Sequence, residues 1–155
     1  MKIDEEVAVR SVLVLADARL DYGRVLHPRK ALRQELAHLA EVFRSYDAAR
    51  RVRIMRGAVA ARAADRALRG DGYRTLAAGN SAVAFERSSG ADRSVVAANA
   101  GEDAAELVLP GPLDVARLAS LLSTDERAAT MRATDDGGVA IALPGRWAGI
   151  WRVGR

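Results

Sequence analysis

The stretch Leu68-Arg69-Gly70-Asp71-Gly72-Tyr73-Arg74-Thr75-Leu76 joins a helical, basic first part of the chain to a strand-rich, slightly acidic second part. Gly70 and Gly72 bracket Asp71, and glycine accepts the positive φ with which many helices end. The stretch therefore predicts a helix stop followed at once by a strand start. Hydrophobic residues obey different periods on its two sides, and those periods decide the fold class.

Upstream, Val7-Ala8-Val9-Arg10-Ser11-Val12-Leu13-Val14-Leu15 is rich in β-branched residues and predicts a strand. Asp21-Tyr22-Gly23-Arg24 follows as a turn, and Pro28 suits a first helical position, where its missing N–H costs nothing. From Arg29 onward Leu32, Leu36, Leu39, Phe43 and Tyr46 recur at steps of four, three, four and three, which places them on one helix face. Asp47 ends this helix or caps the next, in which Val52, Met55, Val59 and Ala63 form a second, weaker stripe. The two segments predict an antiparallel helical hairpin. Gly57 costs the second helix up to about 1 kcal/mol relative to alanine, so that helix needs tertiary support.

Downstream the period is two. Strands are predicted over residues 73–78, 82–87, 93–99, 105–109, 128–133, 139–143 and 147–153. Turn signals at Gly79-Asn80, Ser88-Ser89-Gly90-Ala91-Asp92, Pro110-Gly111-Pro112 and Asp135-Asp136-Gly137-Gly138 separate them. Residues 115–122 are ambiguous between a helical turn, favoured by Leu118, Leu121 and Leu122, and a strand. The expected class is α+β: a helical hairpin with a preceding strand over residues 1–70, then an antiparallel β-sandwich of seven to eight strands over residues 71–155.

Composition narrows the chemistry. There is no cysteine, which excludes disulfides, thiolate metal sites and a cysteine nucleophile, and fits a cytoplasmic setting. The only histidines, His27 and His38, have no acidic cluster beside them at ligand spacing, so no metal or other cofactor is expected. No apolar run is longer than that of Val12-Leu13-Val14-Leu15-Ala16, which falls far short of the roughly 20 residues of a membrane span. Asp4, Glu5 and Glu6 stand where a secretory signal carries positive charge, so a soluble chain without a signal peptide is expected. Of 24 Lys+Arg, 15 lie in residues 1–70 against 9 of the 20 Asp+Glu, so the basic character belongs to the predicted helices. Arginine usage of this kind reflects codon composition as readily as a polyanionic partner.

Three groups are candidates for a site. Arg19 and Asp21 follow the first strand-like run as a nucleophile would, but a carboxylate nucleophile needs a second carboxyl group about 5 Å away, and no later Asp or Glu is placed to supply it. A turn carboxylate is the plainer reading of Asp21. Arg50, Arg51, Arg53 and Arg56 could face the phosphates of a nucleic acid or the acidic surface of a protein. No aromatic side chain interleaves them for base stacking, which favours a solvated face. Trp147 and Trp151 share one face of the last strand and could carry a sugar ring, although a chain with 5% aromatics needs them more for packing. No phosphate loop, Ser/His/Asp constellation or nucleophile elbow is present.

From about residue 55 the order of segments resembles the C-terminal end of the α-amylase family of glycoside hydrolases. The passage Arg66-Ala67-Leu68-Arg69-Gly70-Asp71-Gly72-Tyr73 looks like the exit from that family's last barrel helix into its C-terminal β-sandwich. Asp92-Arg93-Ser94-Val95-Val96-Ala97-Ala98-Asn99, Glu106-Leu107-Val108-Leu109-Pro110 and Gly138-Val139-Ala140-Ile141-Ala142-Leu143-Pro144 resemble, in order, later strands of that sandwich. The resemblance implies a noncatalytic domain that stabilises a catalytic (β/α) barrel or assists α-glucan binding. Its implied partners are such a barrel and an α-glucan; another copy of the chain is the other expected partner, and neither a membrane nor, as the leading reading, a nucleic acid is expected. A chain of 155 residues is too short to hold the eight strand–helix units of a barrel. The acid/base and third-carboxylate motifs of the family have no counterpart beside Asp21. The alternative expectation is a binding module that uses its basic helices on a protein or nucleic acid.

Overall fold

In the computed structural model, the structure describes residues 46–154. The expected strand at 7–15, the helix begun at Arg29, Arg19, Asp21, His27 and His38 lie outside the described residues. One long helix, α1 (Ala48–Ala64), precedes eight strands. These are β1 (Gly72–Ala78), β2 (Ala82–Ser89), β3 (Asp92–Asn99), β4 (Ala105–Leu109), β5 (Leu118–Ser123), β6 (Thr130–Ala133), β7 (Val139–Leu143) and β8 (Trp147–Val153). The ambiguous segment divides: Val115–Arg117 is one 3-10 turn, and β5 follows directly.

The strands form two antiparallel sheets, ordered β1-β2-β3-β8-β5 and β4-β7-β6. Side chains alternate across each strand, and in β2, β3 and β8 both directions are apolar. Ala82, Ala84, Val95, Ala97, Trp147 and Trp151 face one way and pack with Leu107, Leu109, Val139, Ile141 and Leu143 of the smaller sheet. Val83, Phe85, Val96, Ala98 and Ile150 face the other way and pack with Ile54, Ala61 and Leu68. The five-stranded sheet is thus covered by the small sheet on one side and by α1 on the other.

Asp47 caps α1: its side chain accepts the Arg50 N–H at 2.8 Å. Tyr46, expected on the face of an earlier helix, lies in a bend just before this cap and is buried. The packing face of α1 also differs from expectation. Ile54, Ala58 and Ala61 are buried, whereas Val59 is 64% exposed. Small alanines let the helix axis approach the sheet, so a stripe traced through the larger side chains picks the wrong face. Gly57 serves the same approach, because a Cβ there would stand 2.9 Å from Leu122 Cδ1.

The helix stop is a second correction. Asp65, not Gly70, ends α1: its N–H reaches the Ala61 carbonyl, and its carboxylate accepts the N–H groups of Ala67 and Leu68 at 2.8 and 3.4 Å. A 3-10 turn, Ala67–Arg69, then delivers the chain to β1. Gly70 has φ −74°, and among the described residues the glycines with positive φ are Gly90 and Gly137, both in hairpin turns. Gly70 and Gly72 matter for closeness instead: a Cβ would lie 2.1 Å from the Ser88 carbonyl oxygen at Gly70 and 2.0 Å from Ser88 Oγ at Gly72.

Urea titration separates these two uses of glycine. Gly70→Ala is expected to cost about 1–3 kcal/mol by forcing backbone apart, and Gly70→Asn to cost no less. Gly90→Ala is expected to cost about 1–2 kcal/mol through its left-handed φ alone, with Asn recovering much of the loss. Recovery by asparagine at position 70 would contradict the steric account.

Candidate functional site

The buried Tyr46 starts a polar network where the chain enters α1. Its hydroxyl oxygen lies 2.8 Å from Thr124 Oγ1 and 2.6 Å from the Arg146 carbonyl. That carbonyl can only accept, so the single phenolic proton is directed to it, and the Thr124 hydroxyl completes the other contact. Thr124 Oγ1 in turn accepts the Ala148 N–H at 2.9 Å. Arg146 has φ +53° and its N–H is held by the Gly101 carbonyl, which fixes the turn before β8. Burial raises the Tyr46 pKa, against smaller opposing effects of Thr124 and Arg50, so the phenol stays neutral and acts as a fixed donor.

Arg50 closes the network from the first turn of α1. Its guanidinium lies 3.6 Å from the Tyr46 ring centre, donates from Nε to the Thr124 carbonyl at 3.0 Å, and donates from Nη2 to Asp125 Oδ2 at 2.9 Å. Arg127 approaches the same carboxylate from the loop, with Nε and Nη2 at 2.9 and 2.6 Å, and its backbone N–H reaches Oδ1. Burial pushes the Asp125 pKa up, but the hydrogen bonds from Arg127 and then Arg50 outweigh it and hold the carboxyl below its ordinary value. A carboxylate tied between two guanidinium groups is a clamp and is unsuited to nucleophilic or base chemistry. Glu86, buried in β2, is likewise held, by Arg93 at 2.8 Å and Arg74 at 3.5 Å.

The expected basic patch is therefore divided. Arg50 is spent inside the fold, Arg51 is half-buried, and Arg53 and Arg56 are exposed on α1. Trp147 and Trp151 do not form an open platform: they are 1% and 7% exposed, and their ring centres stand 5.6 Å apart between the two sheets. Gly149 makes room for this, since a Cβ there would collide with the Trp147 ring at 2.3 Å. The packing reading of both tryptophans explains their position. Among the described residues no group of three or more His, Cys, Asp or Glu side chains could hold a metal ion, and no helix is long and apolar enough to cross a membrane. Sequence reasoning missed Tyr46, Thr124, Asp125 and Arg146 because their meeting spans 78 to 100 residues of chain. The Asp47 cap was the only local signal that α1 begins beside them.

No protein-family model matches the chain, and no curated protein does. Solved structures do share the fold. An α-amylase from Anoxybacillus matches with TM-score 0.56 and 23% identity, over 67% of this chain and 22% of that one. An α-amylase from H. orenii gives 0.53 and 12%, over 66% and 20%. An isomaltulose synthase variant from Erwinia rhapontici NX5, in complex with its natural substrate sucrose, gives 0.52 and 24%, over 65% and 17%. The chain thus spans about a fifth of the length of these enzymes. At these identities the likeness is one of fold.

Two measurements test the clamp. Arg50→Ala is expected to cost about 1–3 kcal/mol in urea, and Arg53→Ala or Arg56→Ala no more than about 0.5. Asp125 has a depressed folded pKa, so its stabilisation is present above the unfolded value of about 3.9 and is lost as pH falls through the folded value. Asp125→Asn should lower Tm at neutral pH and partly flatten the loss of Tm below about pH 4. Asp47 and Asp136, whose pKa values are also lowered, contribute to that acid limb as well. An acid limb unchanged by the substitution would remove Asp125 from the account.

Proposed function

We propose that the chain is a noncatalytic accessory domain, C-terminal in kind, of an α-amylase-like glycoside hydrolase. It serves carbohydrate metabolism by stabilising the catalytic barrel or by assisting α-glucan binding. The observation that carries this is the fold itself: one helix laid on the larger of two antiparallel sheets, shared with about a fifth of each matched α-amylase structure. In this reading the two sheets are the amylase-type sandwich of residues 71–155, and residues 1–70 are its helical lead-in. The boundary separates helical from strand-rich sequence, while the packing of α1 crosses it. The held state of Asp125 and Glu86 supports a role without chemistry of its own. The cysteine-free composition supports a cytoplasmic setting.

Binding to a nucleic acid or an acidic protein through α1 is the second reading, favoured only by the exposure of Arg53 and Arg56. Two exposed charges release few counterions, and Arg50 is committed elsewhere.

Assays of the 155-residue chain on starch, maltooligosaccharides and cyclodextrins are expected to show no turnover, and turnover would overturn the accessory role. A salt titration with a nucleic acid is expected to show no association even at low salt. Binding that strengthens as salt falls would move the assignment to the second reading.

A further inference from the structure

Asp–Gly occurs twice in the chain, at Asp71-Gly72 and Asp136-Gly137, and the fold treats the two steps differently. Asp136 is held. Its carboxylate accepts the Thr134 hydroxyl and the Gly138 N–H, and these bonds, that from Thr134 above all, lower its pKa. The neighbouring Gly137 N–H is bonded in turn to the Thr134 carbonyl at 3.0 Å. Asp71 stands in the bend between the 3-10 turn and β1, exposed, and its carboxylate meets no hydrogen-bond or ion-pair partner among the described residues. The residue after it has to be glycine, since a Cβ at position 72 would lie 2.0 Å from Ser88 Oγ. The packing that forbids a side chain there also leaves the Gly72 amide nitrogen without a Cβ to shield it.

We propose that Asp71 is a modification site, at which the folded chain isomerises spontaneously to isoaspartate. The Gly72 nitrogen attacks the side-chain carboxyl carbon of Asp71 in its acid form. An N–C bond forms, and the amide proton leaves with the carboxyl hydroxyl as water, which closes a five-membered succinimide. Water then adds to one ring carbonyl. Opening at the main-chain carbonyl gives isoaspartate, in which the chain runs through the aspartate Cβ; opening at the side-chain carbonyl restores aspartate. Nothing is oxidised or reduced, and the water lost is the water regained. The same reaction at Asp136 must first break the bonds that hold its carboxylate, and a hydrogen bond to a charged acceptor slows such a step about tenfold or more.

The joint has no room for the product. Isoaspartate adds one methylene to the main chain between Gly70 and Gly72, both of which are pressed against Ser88 too closely to admit a Cβ, and the Gly70 carbonyl is held by Arg87 Nη2. The chain cannot lengthen there while Leu68 stays in the core and Gly72 stays paired with Ser88. Modification at Asp71 therefore loosens the attachment of α1 to β1, whereas at Asp136 the added atom falls in an exposed hairpin turn. The inference does not depend on the accessory role proposed above.

To test it, the full chain is incubated at mildly acidic pH and body temperature, methylated by an isoaspartyl methyltransferase with labelled S-adenosylmethionine, and cut with trypsin. The label is expected in the peptide Gly70–Arg74 at about ten times its level in Ala133–Arg146. After incubation in urea, where neither carboxylate is held, the two peptides should label alike. Asp71→Glu, which would have to close a six-membered ring, should remove the label from the first peptide, and Thr134→Ala should raise it in the second. An unlabelled Gly70–Arg74 peptide from the folded chain, or equal labelling of the two peptides without urea, would overturn the site. The isoaspartate form, separated by chromatography, is expected to melt below its parent; an equal Tm would overturn the claim that the joint cannot lengthen.

Discussion

The five-stranded sheet has no polar face, and the rest of the structure follows from that constraint. Val83, Phe85, Val96 and Ile150 point to one side of β2, β3 and β8, and Val95, Trp147 and Trp151 point to the other. Each such side chain contributes about 1.5–3 kcal/mol when it leaves water. The four that α1 and the following 3-10 turn cover thus represent on the order of 6–12 kcal/mol, as much as the whole stability of an ordinary domain. The helix is a structural layer of the fold rather than an appendage to it.

Holding that layer in place occupies much of the arginine. Arg50 fastens the start of α1 to the loop after β5 through Tyr46, Thr124 and Asp125. At the other end Arg152, from β8, donates to Asp65 at 2.8 Å and to the Ala64 carbonyl at 3.2 Å. Asp65, 2% exposed, therefore stops the helix, nucleates the following turn and receives a strand in one position. A planar guanidinium with five donors suits such bracketing of carbonyls and carboxylates, and a lysine would reach only part of each set. Of the arginines that in sequence suggested a polyanion partner, Arg50 is an internal fastening, whereas Arg53 and Arg56 are exposed.

The strand-rich half was legible because period-two alternation and turn residues are local signals. β4, β7 and β8 run between the predicted residues, and β1, β2 and β3 extend one or two residues beyond them. The glycines at the joint were correctly seen as required but for the wrong reason: what demands them is the Ser88 backbone and side chain, brought close only by the pairing of β1 with β2. The buried face of α1 was misread because alanine carries little weight in a hydrophobic stripe, yet alanine permits the closest approach to a sheet. The network around Tyr46 could not be read at all, since nothing in Tyr46, Thr124 or Arg146 separately marks a partner so distant in the chain.

Native-state hydrogen exchange tests most directly the claim that α1 is an integral layer of the β-rich fold. The amides of Ile54 to Ala61 are expected to exchange only with global unfolding, with the same free energy and urea dependence as those of β2, β3 and β8. Exchange of α1 through a separate opening of lower free energy, while those strands keep full protection, would contradict the account.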